Sequence, residues 1–328
     1  MDLEKNTVPL TLIANFPKLL EICINRLNDA IVITEAEPIN NPGPKIVWAN
    51  RVFYERNGYS PDEIIGQSPR ILQGPKSDRA TLDKVRTALE KWQSIRAEML
   101  NYRKDGSTYW NEFEIVPVAN EKGWYTHWVS VQRDITGRKL IEEQLHQLAF
   151  YDPLTKLPNR RLLNDRLSQA IASSKRSGYY GALMFLDMDN FKQLNDSYGH
   201  ELGDILLVEV ANRLTDCVRE IDTIARFGGD EFVIVLHELD VNKDEAKIRA
   251  AIVAEKVRAT LAKPYLLKLL PKEKSENIVE YHCAVSIGVN LFIGDEISES
   301  DILKWADAAM YQAKESGRNL IRFYDGKA

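Results

Sequence analysis

Hydrophobic and polar positions alternate in short runs over the first 136 residues of the chain. Apolar runs at 31–34 and 45–50 flank the turn-forming stretch NNPG, which predicts two strands. Residues 78–92 instead repeat apolar side chains at helical spacing, which predicts a helix. Longer alternating runs follow, separated by DGS and EKG turns, at 96–104, 108–118 and 126–136. Strands, short helices and an antiparallel meander predict a small α+β domain over 29–136 with one curved sheet.

From Asp152 onward, apolar strand candidates alternate with amphipathic helix candidates. The strand candidates are 181–189, 232–236 and 283–292, and the helix candidates are 162–176, 204–219, 247–263 and 300–317. This alternation predicts one α/β domain over 151–328. Two polar stretches, 188–204 and 270–277, interrupt the pattern, and we expect both to form loops.

Two further segments repeat apolar residues at helical spacing. In the linker 137–150, Ile141, Leu145 and Leu148 are spaced four and three apart. Such a stripe is typical of a dimeric signalling helix, or of a helix packed on its own domain, and the position between two domains favours the dimer. Residues 1–28 predict an amphipathic helix, interrupted by Pro17, which packs on a neighbour rather than on a membrane.

Composition narrows the classes of function. The 328 residues have a net charge of −5 and a sequence pI near 5.7, so nucleic acid is disfavoured as the main partner. The three dispersed cysteines (Cys23, Cys217 and Cys283) form no metal knuckle or disulfide framework, as expected in a reducing compartment. No apolar run reaches the roughly 20 residues that span a bilayer, and no signal-peptide pattern is present. We therefore expect a cytoplasmic protein without a membrane span.

Acidic residues stand at the ends of two strands predicted to be buried. Asp187 lies near the end of 181–189, and the motif RFGGDEF places Asp230 and Glu231 on a glycine turn before 232–236. If these strands are neighbours, three carboxylates converge and raise each other's pKa values. A divalent cation would relieve that repulsion, and oxygen ligands favour Mg²⁺ or Mn²⁺. The alternative is a plain hairpin with a solvated acidic tip.

Other polar residues suit a nucleotide. Lys192, Lys314 and Arg318 are cations that could neutralise a triphosphate, while Asn195 and Asp204 could hydrogen-bond a base edge. Each of these residues taken alone is more simply explained as solvated surface.

Together these residues resemble the GGDEF family of diguanylate cyclases. The matching segments are DPLTKLPNRR, LDMDNFKQLND, GHELGD, RFGGDEF, SIGV and MYQAKESGRN, which cover nearly all of 150–325. The resemblance implies a βαββαβ fold like the palm of nucleotidyl cyclases and polymerases. It also implies that two GTP molecules are joined into cyclic di-GMP and two pyrophosphates. Each subunit of a homodimer would bind one GTP, with the active site where the two face each other.

The resemblance assigns roles to residues of this chain. Two Mg²⁺ or Mn²⁺ ions per site would be held by Asp187, Asp230 and the backbone carbonyl of Met188, with Glu231 in or beside that shell. Asp230, Glu231 and Lys192 would be catalytic, with Asp230 as the proton acceptor. The substrate would be bound by Asn195, His200, Asp204, Lys314 and Arg318. Arg219 and Asp222 match an inhibitory RxxD motif, which would bind cyclic di-GMP as product inhibitor.

Residues 29–136 resemble a PAS domain, through NGYSPDEIIG, RKDGS and RDIT, and in particular its flavin-binding LOV subgroup, through SPRILQGPKSD. In that subgroup, the positions of Gln73, Asn101, Asn111 and Gln132 hydrogen-bond the flavin ring. Pro69 stands where the photoreactive cysteine is found, so the usual thiol adduct cannot form. Three alternatives stay open: non-covalent FMN or FAD, another small ligand, or an empty dimerisation module.

The sequence therefore predicts a PAS-regulated diguanylate cyclase that dimerises through its PAS domain and linker helix. One alternative is a catalytically silent receptor for GTP or cyclic di-GMP. Another is a flavin-based redox or light sensor with weak cyclase output.

Overall fold

The computed structural model describes residues 15–269, 277–294 and 298–326. The chain divides into two compact units, Met1–Glu143 and Gln144–Ala328. Nearly all of the loop predicted at 270–277 lies outside the described residues. In the part of the chain that is described, no helix is both long and apolar enough to cross a bilayer.

The first unit is built on one five-stranded antiparallel sheet with the order β2-β1-β5-β4-β3. Its strands are β1 (Ala30–Glu35), β2 (Ile46–Ala49), β3 (Ile95–Tyr102), β4 (Thr108–Ala119) and β5 (Tyr125–Asp134). Its helices are α1 (Phe16–Arg26), α2 (Arg51–Asn57), α3 (Pro61–Ile64) and α4 (Arg79–Glu90), with a 3₁₀ turn at Pro69–Leu72. The meander β3–β4–β5 confirms the predicted α+β architecture.

Helix α1 differs from the prediction for the N-terminal segment. It begins at Phe16 with Pro17 in its first turn, where a missing N–H costs nothing, so the proline starts the helix instead of interrupting it. None of its described residues is buried, and Leu19, Leu20 and Ile22 are each 45–46% exposed. The predicted packing of its apolar face is therefore wrong for this chain taken alone.

The second unit contains a five-stranded sheet with the order β12-β11-β6-β8-β7, antiparallel except for β11–β12. Its strands are β6 (Tyr180–Asp189), β7 (Thr223–Gly228), β8 (Glu231–Asp240), β11 (Ala284–Phe292) and β12 (Ile321–Phe323), beside a two-stranded ribbon of β9 (Tyr265–Leu269) and β10 (Asn277–Tyr281). Its helices are α6 (Arg160–Ser177), α7 (Phe191–Tyr198), α8 (His200–Thr215), α9 (Lys243–Leu261) and α10 (Glu299–Glu315), and α5 (Thr136–Phe150) precedes them. The succession β6, α7–α8, β7, β8, α9, β11 confirms the expected βαββαβ order.

Helices cover both faces of this sheet. Helices α8 and α9 pack with one set of sheet residues, and α6 and α10 pack with the other. The approach of α10 is unusually close at Gly288 of β11, where an added Cβ would lie 2.0 Å from the Ala306 carbonyl oxygen and 2.2 Å from the Met310 nitrogen. The absence of a side chain at Gly288 therefore fixes how closely α10 lies on the sheet.

The loop predicted at 188–204 is wrong, because this stretch forms α7 and the start of α8. Phe191 and Leu194 recur at helical spacing, and Leu194 is buried in the core. Asn190 adopts a left-handed φ of 62°, which turns the chain out of β6, and Gly199 separates the two helices. The density of polar residues hid this short amphipathic pattern. Strands β7, β9, β10 and β12, of three to six residues each, were not predicted.

Candidate active site

The predicted metal-binding residues meet at one end of the two central strands. Strands β6 and β8 are antiparallel neighbours with Asp187 directly opposite Glu231, so both side chains point to the same face of the sheet. Asp230 lies on the turn before β8, and its carbonyl oxygen accepts a hydrogen bond from the Met188 nitrogen at 3.4 Å. The structure thus brings together Asp187, Met188, Asp230 and Glu231.

Burial and mutual repulsion raise the pKa values of two of these carboxyl groups. Burial raises the pKa of Asp187, the Lys314 ammonium opposes this with Nζ at 2.6 Å from Oδ1, and the charge of Asp230 raises it further. Burial also raises the pKa of Glu231, with further contributions from Asp187, Asp307 and Asp230. Neighbouring carboxylates repel each other when both are ionised. A cation placed between them offsets that repulsion and stabilises the ionised forms.

The protein does not supply a complete metal cage. Across residues 15–269, 277–294 and 298–326, no group of three or more His, Cys, Asp or Glu side chains is arranged to hold a metal ion. Magnesium is commonly held by one or two carboxylates together with substrate phosphates and water. The crowded oxygen donors therefore fit a Mg²⁺ or Mn²⁺ ion that is bound jointly with a nucleotide.

An arginine that received no role from the sequence fixes the glycine turn. Arg226 donates from Nε and Nη2 to the Gly229 carbonyl oxygen at 2.9 and 2.7 Å, while Gly229 has a left-handed φ of 52°. Its Nη1 donates to both oxygens of Asp152 at 3.1 and 3.2 Å. The turn that holds Asp230 is thereby tied to the segment that follows α5. Both residues stand in motifs of the sequence: Arg226 is the first residue of RFGGDEF, and Asp152 is the first of DPLT.

The predicted base-binding residues lie on α7 and α8. Asn195 is half-buried, and its Oδ1 is buried without a hydrogen-bond partner in the described structure. A Cβ added to Gly203 would lie 2.0 Å from that oxygen, so the glycine makes room for the amide. Asp204 follows on the exposed side of α8, and His200 is the exposed first residue of that helix. A buried acceptor without a donor is costly, so the Asn195 amide is a candidate to accept a hydrogen bond from a ligand.

The predicted phosphate-binding cations lie near both ends of this region. Lys192 is exposed in the first turn of α7, and Lys314 pairs with Asp187 from the last turn of α10. Arg318 is exposed just beyond α10, with a left-handed φ of 64°. Lys314 therefore contacts a carboxylate of the cluster directly. Lys192, five residues after Asp187, and Arg318, four residues after Lys314, are both exposed to solvent.

The predicted inhibitory pair lies at the other end of β7 from the glycine turn. The two oxygens of Asp222 accept hydrogen bonds from the Arg219 backbone nitrogen and guanidinium at 3.0–3.2 Å, and from the His237 nitrogen at 3.1 Å. The Asp222 side chain is only 2% exposed, whereas that of Arg219 is 57% exposed. Asp222 is thus satisfied within the fold, and Arg219 is the member that a ligand can reach.

The four predicted flavin-binding residues line one cavity of about 260 Å³ in the first unit, together with Pro69. Asn101, Asn111 and Gln132 are buried, and Asn111 Nδ2 donates to Gln132 Oε1 at 3.4 Å. The Oδ1 atoms of Asn101 and Asn111 are buried without a partner in the part of the chain that is described. None of the described lining residues is a cysteine. The cavity therefore offers several amide groups and no thiol to a ligand.

Known proteins match both units. A family model described as "Diguanylate cyclase, GGDEF domain" matches residues 149–320, and a "PAS domain" model matches residues 28–137. The bifunctional diguanylate cyclase/cyclic di-GMP phosphodiesterase MucR of Pseudomonas aeruginosa is 44% identical over 190 residues, which are 58% of this chain and 26% of that protein. Diguanylate cyclase DosC of Escherichia coli is 35% identical over 187 residues, which are 57% of this chain and 38% of that protein.

Solved structures match the second unit as well. The coiled coil and GGDEF domain of DgcB from Caulobacter crescentus, in complex with c-di-GMP, is 28% identical with a TM-score of 0.49. The match covers 57% of this chain and 93% of that one. The chain thus spans well under half the length of the two curated relatives, but nearly the whole of this solved domain.

Proposed function

The chain belongs to the GGDEF diguanylate cyclase family, and we propose that it joins two GTP molecules into cyclic di-GMP under the control of its PAS domain. One observation supports this most strongly: buried Asp187 lies opposite Glu231, both with raised pKa values, and the Lys314 ammonium pairs with Asp187. Such a cluster is suited to a metal–triphosphate complex, in which charge must be balanced at the reacting phosphate.

The proposed reaction is a phosphoryl transfer repeated twice. The 3′-oxygen of one GTP bonds to the α-phosphorus of the other, the bond to pyrophosphate breaks, and the 3′-hydroxyl proton passes to Asp230. Asp187, Asp230 and the Met188 carbonyl would hold Mg²⁺ or Mn²⁺, which would supply activation of that hydroxyl and charge stabilisation at the phosphate. Lys192, Lys314 and Arg318 bind the remaining phosphate charge.

Guanine selectivity follows from the acceptors on α7 and α8. The unpartnered Asn195 Oδ1 would accept a hydrogen bond from the guanine base. Asp204 would accept from the guanine ring N–H and the exocyclic amine, whereas the ring nitrogen of adenine at that edge is itself an acceptor. Adenine has no N–H at its N1 and C2 positions, so it would leave the Asp204 oxygens without their two donors, which disfavours ATP.

The direct test is incubation of the purified chain with GTP and Mg²⁺ or Mn²⁺, followed by chromatographic detection of cyclic di-GMP. We expect product from GTP and none from ATP. Tight GTP binding without turnover, in light and dark and with flavin added, would refute the cyclase and favour the silent receptor.

Gly203→Ala tests the base pocket. We expect it to weaken GTP binding at least about 10-fold, because the methyl group displaces the Asn195 amide. Alanine favours helix over glycine, so a weaker α8 cannot explain the loss. The matched control is Gly137→Ala in α5, where an added Cβ meets none of the described atoms within 4 Å. Calorimetric titration with GTP measures both variants, and unchanged affinity of Gly203→Ala would contradict the assignment.

We further propose that cyclic di-GMP inhibits the enzyme through Arg219. Arg219→Ala should raise the inhibitor concentration for half-inhibition at least about 30-fold, because a charged hydrogen-bond donor to the ligand is lost. The uninhibited initial rate should stay the same, since the pair lies at the far end of β7. Arg176→Ala, an exposed arginine of α6, serves as the control. Equal inhibition of Arg219→Ala and wild type by cyclic di-GMP would contradict the proposed inhibitory site.

A second candidate function concerns the cavity of the PAS domain, for which we propose non-covalent FMN or FAD. The unpartnered oxygens of Asn101 and Asn111 can accept from the ring N–H of a flavin, and Gln132 offers both a donor and an acceptor. Asn111→Leu should therefore weaken flavin binding at least about 10-fold in a fluorescence titration. The exposed Asn28→Leu is the control. A protein that stays colourless and binds neither FMN nor FAD after refolding in the presence of each would exclude this function.

Dimerisation completes the proposed function, because each active site needs GTP from two subunits. We propose a homodimer formed through the PAS domain and α5. The α5 residues Ile141, Leu145 and Leu148 are 58–67% exposed, so the predicted stripe is available to a second copy of the chain.

A further inference from the structure

Asp189 is the last residue of β6 and shares a face with Asp187, yet its surroundings differ. The residue is 3% exposed. Its Oδ1 accepts from the Ser286 hydroxyl at 2.8 Å, and its Oδ2 accepts from the Asn319 backbone nitrogen at 2.9 Å. Both carboxylate oxygens are therefore engaged by protein donors, whereas the ion pair of Asp187 with Lys314 is made through Oδ1.

The Asn319 nitrogen belongs to a segment with unfavourable backbone conformation. Gly317, Arg318 and Asn319 have consecutive φ values of 122°, 64° and 48°. Left-handed conformations are disfavoured for residues with a Cβ, so such a run persists only where other contacts impose it. Two contacts hold Asn319: the Asp189 carboxylate on its nitrogen, and Arg258 Nη1 on its Oδ1 at 2.8 Å.

Arg318 lies between these constrained neighbours. Its own nitrogen donates to the Ala313 carbonyl oxygen at 3.1 Å, which closes the end of α10. The direction of the Arg318 side chain thus depends on the backbone that Asp189 stabilises. We propose that Asp189 is a positioning residue for the triphosphate: it holds 317–319 in the conformation that presents Arg318, and it is not a metal ligand.

This proposal rests on the proposed GTP site and ties its two halves together. Asp187 and Asp189 are two residues apart on β6, so one strand carries both the carboxylate that would hold metal and the anchor of the phosphate-binding segment. A metal-ligand role would make Asp189→Asn as damaging as Asp187→Asn. A positioning role predicts the opposite, because an asparagine keeps an oxygen for the Asn319 nitrogen and can donate to the Ser286 hydroxyl.

The test combines two measurements that need no turnover. Hydrogen exchange in a peptide covering 316–320 reports the anchor, and calorimetry with guanosine 5′-[α,β-methylene]triphosphate reports binding at several Mg²⁺ concentrations. For Asp189→Ala, we expect faster exchange and at least about 10-fold weaker analogue binding. That loss should nearly vanish in an Arg318→Ala background, because the two residues act on the same contact.

For Asp189→Asn, we expect exchange and affinity within about threefold of wild type and an unchanged Mg²⁺ requirement, since the hydrogen bond to Asn319 is kept. Asp187→Asn should leave exchange unchanged and raise the Mg²⁺ requirement. The proposal is overturned if Asp189→Asn shifts the Mg²⁺ requirement as Asp187→Asn does, or if Asp189→Ala leaves exchange and affinity unchanged. If Asp189→Ala does not fold, the two asparagine variants decide alone. Failure of wild type to form cyclic di-GMP would count against the proposed cyclase only.

Discussion

Replacing Asp187 with Asn lowers the initial rate of cyclic di-GMP formation by at least about 1,000-fold, which we expect to be among the largest effects of any single substitution. The amide is nearly isosteric but neutral, so it should hold the proposed metal ion much more weakly than the carboxylate does. Folding should be preserved or improved, because burial already disfavours the charged form of Asp187. The opposed effects on rate and stability separate a chemical role from damage to the core.

Asp307 offers a matched control for that experiment. It contributes negative charge near Glu231, but it is exposed on α10 and received no role as a ligand. Asp307→Asn should retain most of the rate. Product formation and thermal unfolding of both variants, measured with Mg²⁺ and with Mn²⁺, check the expectation. A rate for Asp187→Asn within about 10-fold of wild type would contradict the assigned role.

The second large effect is expected from charge in the α5 stripe. Leu145→Glu with Leu148→Glu places two like charges from each subunit in the proposed seam, which should convert the dimer to monomer. At low micromolar protein we expect at least about 100-fold less cyclic di-GMP, because the two GTP-loaded sites no longer meet at high effective concentration. Raising the protein concentration should restore part of the rate. Sedimentation and product formation, measured on the same samples, check both statements.

Gln147→Glu is the control for the stripe, since it adds charge to the same turn of α5 but lies away from the Leu145–Leu148 side. It should leave mass and rate unchanged. Two outcomes would refute the role of the stripe: a stable dimer of the double variant, or a monomer with full activity at every concentration.

The strands of the second unit were predictable because they are continuous apolar runs bounded by polar residues. The carboxylates were predictable as a cluster only on the condition that two strands were neighbours. That condition depends on long-range pairing, and the register Asp187 opposite Glu231 is visible only in the folded sheet. The close approach of Gly203 to Asn195 likewise depends on the angle between two short helices.

The PAS cavity shows the same division between local and long-range information. Resemblance selected Gln73, Asn101, Asn111 and Gln132, which are scattered over the first unit, but no local pattern links them. Pairing of β3 with β4 and of β4 with β5 brings the last three to one face of the sheet. Asp189 escaped prediction for a related reason: its partners, Ser286 and Asn319, are distant in sequence and became apparent only as hydrogen bonds.

Gly288 has a consequence for judging which members of such a family are active. Any side chain there would push α10 away from β11, and Lys314 lies one helical turn beyond Met310, the point of closest approach. The ion pair with Asp187 would then lengthen although every carboxylate and cation of the site was intact. Loss of catalysis during evolution can therefore begin at a residue without chemistry of its own. A protein with such a substitution would still be classified as an active cyclase if only its metal-binding and phosphate-binding residues were checked.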